Sequence, residues 1–221
     1  MYKAAPAGLR ASRRFIIRGV QLPDSDDIYD QQLTRAISDI NELCRELTHC
    51  EHCAHGRAVP VIGSGHPLAD IFLIKYRTHP SEASEGVAFY GRSGEAIMKG
   101  CQKLGIDSLL LYGTNVIKCA NVDEDEALTS CSAYLTRELV VVQPKLVVIM
   151  GSRTLEAVNS LDFPMAERLE DIKGEIQRFT PTTEALVTPE IDASLTDQGK
   201  KTDFWKAFKV LGDWYESLPP Y

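Results

Sequence analysis

The stretch CEHCAHGRAVPVIGSGHPLADIFLI, residues 50–74, carries two unlike signals. It opens on a Cys-x-x-Cys pair and closes on the apolar run IFLI, which ends at Lys75. A short run of this kind, apolar without alternation, predicts a strand covered on both faces. Three further runs have the same character: LLLYGTN (109–115), LVVIM (146–150) and EALVT (184–188). Helical spacing separates them. QLTRAISDINELCREL places Leu33, Ile37, Ile40, Leu43, Cys44 and Leu47 on one face, just ahead of the cysteine pair. SGEAIMKGCQKLGI predicts a helix capped by Ser93 and stopped at Gly105. DEALTSCSAYLTRELVVVQP runs to Pro144, SRTLEAVNSL follows Gly151, and DFWKAFKVLGDWY offers Phe204, Phe208, Leu211 and Tyr215, with Trp205 nearby. Strand alternating with helix predicts an open α/β sheet with right-handed crossovers. Ligands of such sheets sit beyond the carboxyl ends of the strands, here residues 75–79, 115–119, 151–153 and 188–190.

The chain has 221 residues, 44% of them hydrophobic and 25% charged, enough for one large core or two small ones. No apolar run approaches the ~20 residues that span a bilayer, and no secretory signal is evident. Residues 1–20 hold Lys3, Arg10, Arg13, Arg14 and Arg18 without an acid, so of the net −7 the remaining residues carry −12. That basic start reads equally as an organelle presequence, a nucleic-acid arm or a frayed end. The acidic body argues against broad nonspecific DNA affinity, which rests on phosphate neutralisation. The expected division is an arm and linker over 1–30, basic then acidic, and a single domain over 31–221.

Six cysteines in a chain of this length do not make a disulfide scaffold, so a reducing, cytoplasmic setting is expected. Cys50, Cys53, Cys119 and Cys131 form a local pair and a distant pair. Such a set suits tetrahedral zinc or an iron–sulfur cluster, and the wide second pair favours the bulkier cluster. Scattered buried thiols are the alternative. Cys44 and Cys101 fall among apolar neighbours and read as core.

Four segments, in order, resemble the iron–sulfur (family 4) uracil-DNA glycosylases. They are the opening stretch, GVAFYGRSGEAI (86–97), YGTNVIKC (112–119) and CSAYLTRELVVVQPKLVVIMGSRTLEAV (131–158). The likeness covers about residues 40–215. It implies a three-layer α/β/α fold around a four-stranded parallel sheet, and a [4Fe–4S] cluster on Cys50, Cys53, Cys119 and Cys131, with zinc as the alternative. It further implies a monomer that binds DNA and no membrane, and hydrolyses the N-glycosidic bond of a flipped base in base-excision repair. Phe89 takes the family's stacking position, and Asn115 the position whose amide reads the base edge.

Two motifs depart from the family. Where Gly-Glu-Ala-Pro-Gly is usual, this chain has Lys75-Tyr76-Arg77-Thr78-His79, so a glycine and a carboxylate give way to bulk. Where His-Pro-Ser is usual, it has Thr188-Pro189-Glu190, which leaves Thr188 as a weak donor to the departing base. The loss of one such donor costs ~10²–10³ in rate. The expectation is therefore weakened or altered excision, or a catalytically silent relative that binds nucleic acid, a nucleotide or a protein. His79, Glu82 and Arg77 lie just past the first strand and carry no assigned role.

Overall fold

The computed structural model describes residues 16–17, 20–21, 25–53 and 59–219. The basic arm read in residues 1–20 lies outside them apart from residues 16, 17 and 20. The chain forms two compact units, Met1–Arg35 and Ala36–Tyr221. In the first, β1 (Ile16–Ile17) pairs antiparallel with β2 (Val20–Gln21), and helix α1 (Ser25–Thr48) begins.

The second unit holds the sheet. Its central strands are β4 (Ile71–Lys75), β5 (Leu111–Asn115), β6 (Leu146–Met150) and β8 (Glu184–Thr188), all mutually parallel and adjacent in the order β5-β4-β6-β8. These are the four strands read from the sequence. Two short antiparallel strands extend the edges to six: β3 (Ser64–Gly65) beside β5, and β7 (Ile176–Arg178) beside β8. With two and three residues, and polar ones among them, neither has a hydrophobic period to be read. Near-continuous apolarity follows from burial on both faces. Phe72, Ile74, Val147, Ile149 and Val187 face one core, and Ile71, Leu73, Val148, Met150 and Leu186 face the other.

The first core is closed by α4 (Glu124–Val142) and α5 (Ser152–Asn159), with Ile40 of α1 packed against it. The second is closed by α3 (Arg92–Lys103), α6 (Ile191–Ser194) and α7 (Gln198–Ser217). A one-turn helix-like segment, α2 (Pro80–Glu85), follows β4. Three layers result, as the resemblance implied. Two local expectations change. Gly91, at φ 95, is the N-cap of α3, and Ser93 is buried in its first turn rather than capping it. On α7 the buried aromatic of the last turns is Trp214, whose indole N–H donates to Glu184 at 2.5 Å, while Tyr215 only packs against the edge of the core.

Candidate functional site

Strand register aligns four side chains at the carboxyl edge. Lys75 pairs in register with Asn115 on one side and Met150 on the other, and Met150 with Thr188. Register partners in a parallel sheet share a face, so this row continues the α3/α6/α7 side. Lys75 is 1% exposed, and its ammonium lies 2.9 Å from Glu82 Oε2 and 2.9 Å from Asp192 Oδ2. Glu82 is fully buried and is the hub of the site. Its Oε2 accepts from the His79 N–H at 2.7 Å and from Asn115 Nδ2 at 3.3 Å, and its Oε1 accepts from the Phe89 N–H at 2.5 Å. The bond to His79 is half of a capping box, since the His79 side chain in turn caps the first turn of α2.

Asn115 Nδ2 also donates to Thr78 Oγ1 at 3.1 Å, and that hydroxyl donates to the Ile117 carbonyl at 2.7 Å. The amide hydrogens are thus engaged, while buried Asn115 Oδ1 has no partner among the described residues. A buried polar atom without a hydrogen bond is uncommon and costly. Phe89 adopts φ 59, a left-handed conformation rare for a bulky residue. Close approach makes this possible: a Cβ on Gly94 would strike the Phe89 carbonyl, and one on Gly113 would sit 2.7 Å from the ring. Gly113→Ala is therefore expected to push the ring off β5 and cost ~1–3 kcal/mol, read as a lower urea midpoint; an unchanged midpoint contradicts the contact.

Tyr76 points the other way. Strand alternation turns it into the α4/α5 core, 5% exposed, beneath the Arg153 guanidinium at 4.4 Å from the ring centre. Glu124 bridges Arg153 (2.5 Å) and Arg77 (2.6 Å) above it. Burial raises the Tyr76 hydroxyl above its ordinary range, and Arg153 opposes that rise. Thr188 is fully buried and donates to the carbonyl of its neighbour Pro189 at 3.1 Å. The sequence reads Lys75 and Tyr76 together, as bulk in one motif; alternation puts them on opposite faces of the sheet.

A cavity of about 520 Å³ opens at the ends of β4, β6 and β8, lined by Tyr76, Arg77, Ser152, Arg153, Lys173, Glu190 and Lys200 among others. The chain leaves β4 for β5 on one side and later returns to β6 on the other, so this cavity marks the topological switch point where open α/β sheets hold ligands. A larger groove of about 1060 Å³ runs between α3 and β5 and takes in Phe89. Lys75, Asn115 and Thr188 line neither.

Cys50 and Cys53 follow α1, Cys119 follows β5, and Cys131 is buried on α4. All four are free thiols. Burial pushes Cys119 up to about 11, and the charges of Cys131, Cys53 and Cys50 add to the rise. Tyr134, one turn along α4 from Cys131, is raised to about 12 by burial and a hydrogen bond with Cys50. Among the described residues, no three His, Cys, Asp or Glu side chains stand close enough to hold a single metal ion.

Fold and site together define an α/β/α protein with a polar, aromatic-flanked site at the strand ends. The family profile described as "Uracil DNA glycosylase superfamily" matches residues 63–212, and the chain belongs to that superfamily. Among curated proteins it is similar to the Type-4 uracil-DNA glycosylase of Sulfurisphaera tokodaii, 28% identical over 131 residues, 56% of this chain and 60% of that one. The Type-4 enzyme of Pyrobaculum aerophilum is 25% identical over 62% of this chain and 73% of its own. That of Archaeoglobus fulgidus is 23% identical over 80% and 94%.

Sequence reading placed Asn115 and Phe89 in the site but passed over two members. Glu82 was visible in principle, because His79-Pro80-Ser81-Glu82 has capping-box spacing. Asp192 lies 117 residues from Lys75 and has no local signature.

Proposed function

We propose that this chain is an iron–sulfur member of the superfamily that acts on DNA in base repair, with uracil excision much weaker than in its Type-4 relatives. The observation that carries this reading is the engagement of both departing positions. Tyr76 reaches only the switch-point cavity, on the side of the sheet away from Asn115 and capped by Arg153, and the Thr188 hydroxyl is spent on the Pro189 carbonyl. Neither supplies, beside Asn115, the carboxylate that positions water or the imidazole that donates to a forming base anion. Phe89 as stacking plate and Asn115 as edge reader fit the family role, since both lie at the carboxyl end of the sheet and Asn115 offers an acceptor. Cations around the switch-point cavity supply contacts for a phosphate backbone.

Cys50, Cys53, Cys119 and Cys131 are the residues that would hold a [4Fe–4S] cluster. What supports a cluster over zinc is the wide Cys119–Cys131 spacing, since structural zinc sites close both pairs tightly, together with the kinship to the Type-4 enzymes. The cluster's contribution is structural, tying the end of α1 to the β5–α4 loop.

The test is incubation with uracil-containing single- and double-stranded DNA followed by alkali, beside a Type-4 relative. Excision slower by ~10²–10³ is expected; a rate equal to the relative's refutes the weakening. A second reading, a non-catalytic DNA-binding relative, is favoured by the absence of Asn115 from both large cavities. It predicts no scission at any enzyme concentration together with retained DNA binding.

A further inference from the structure

Lys75 does more than replace a family glycine. We infer that it is the specificity-determining residue of the base site: its ammonium lies where a flipped pyrimidine would lie and keeps the site shut to one. This rests on the assignment of Phe89 and Asn115 to base binding, and deepens it.

Three observations converge. First, the ammonium lies over the Phe89 ring, 5.8 Å from its centre, so the stacking plate already carries a cation at the distance of a cation–π contact. Second, Lys75 and Asn115 share Glu82 Oε2, at 2.9 and 3.3 Å. The ammonium is thus set beside the amide that would read a base. Third, Asn115 Oδ1 is buried without a partner among the described residues, although a flexible chain bearing three N–H donors ends close by. Two carboxylates hold that chain elsewhere. Asn115 keeps an acceptor, suited to a base N–H, but the space in front of it belongs to the lysine.

The plug is well anchored. Glu82 is buried and Asp192 is 29% exposed. Pulling one partner from a buried ion pair costs more than the stacking of one base returns. A pyrimidine therefore does not displace Lys75 by binding alone. Asp192 comes from α6, immediately after β8, so the latch is carried by the same strand end that lost its histidine.

The experiment uses 5-fluorouracil as a ¹⁹F probe and uracil as its competitor, with no DNA and no turnover. The wild-type chain is expected to leave the probe signal unbroadened. Lys75→Ala, which opens the space while Glu82 keeps its three N–H donors, is expected to bind the probe at least about tenfold more tightly. Lys75→Met fills the same volume without charge and is expected to stay closed. Lys75→Ser serves as a second opening variant should Lys75→Ala fold poorly by circular dichroism.

Tight probe binding by wild type, or no gain in the folded opening variants, overturns the inference. Gain in Lys75→Met equal to Lys75→Ala overturns the steric plug. Because free base is the ligand, the result separates from the proposed repair role. An opened variant that takes the base but never cleaves DNA keeps this inference while the excision reading falls. Wild type that excises uracil from DNA, with opening variants that bind no more free base than it does, overturns this inference and leaves the repair role standing.

Discussion

Glu138→Ala is expected to destabilise the fold by about 3–5 kcal/mol, the usual cost of stripping one partner from a buried ion pair. Glu138 and Lys118 are both fully buried, with Nζ 2.6 Å from Oε2. Thr114 is shared between them: it accepts from Lys118 at 2.5 Å and turns its hydroxyl to the carboxylate at 3.0 Å. Tyr112 donates its phenol to Oε1 at 3.2 Å, and burial holds that phenol far above its ordinary range. Without Glu138 the ammonium keeps one neutral partner and the phenol keeps none. Against a typical total of ~5–15 kcal/mol, the loss is large enough to halve the urea midpoint. The pair itself need not be stabilising. Replacing both members, Lys118→Met with Glu138→Leu, removes the charges together and is expected to cost far less. If Glu138→Ala loses under ~1 kcal/mol, or the double variant loses as much as the single, the burial argument is wrong.

The strands were legible because burial on both faces leaves a plain mark, an apolar run without alternation. Their register was not, and register is what assembles the site. Asn115, Lys75, Met150 and Thr188 come from four separate segments and meet only as a row across the sheet. Sequence did reveal that Lys75 and Tyr76 break a family motif. It could not tell that one residue seals the α3/α7 side while the other packs under Arg153 on the opposite side, since that depends on which face each strand residue takes. The Lys75–Asp192 bond was hidden for a different reason. Long-range ion pairs leave no periodicity, and Asp192 in IDAS reads as ordinary helix-start acidity. The Glu138 network was hidden likewise: a glutamate in the helical run TRELVVV gives no sign of complete burial.

If the proposed cluster is bound, Cys119→Ser is expected to abolish the broad visible absorbance it would give anaerobically purified protein and to drop iron from about four per chain to below one. Cys44→Ser and Cys101→Ser, outside the quartet, are expected to keep both. Cys119 is the informative choice because its segment is tied to the base site. The backbone N–H groups of Val116 and Ile117 donate to the carbonyls of Lys75 and Tyr76 at 2.9 Å each, and Val61 N–H donates to the Lys118 carbonyl at 2.6 Å. Those bonds hold the exit of β5 against the exit of β4, where Asn115 and Lys75 lie. A cluster anchored at Cys119 would clamp the far end of the same short segment. Its loss is then expected to raise amide exchange over residues 116–122 as well as to bleach the protein, since structural metal sites couple binding to folding. Retained colour in Cys119→Ser, or a colourless wild type holding one zinc, removes the cluster from the account. Bleaching without faster exchange would keep the cluster but sever its link to the base site.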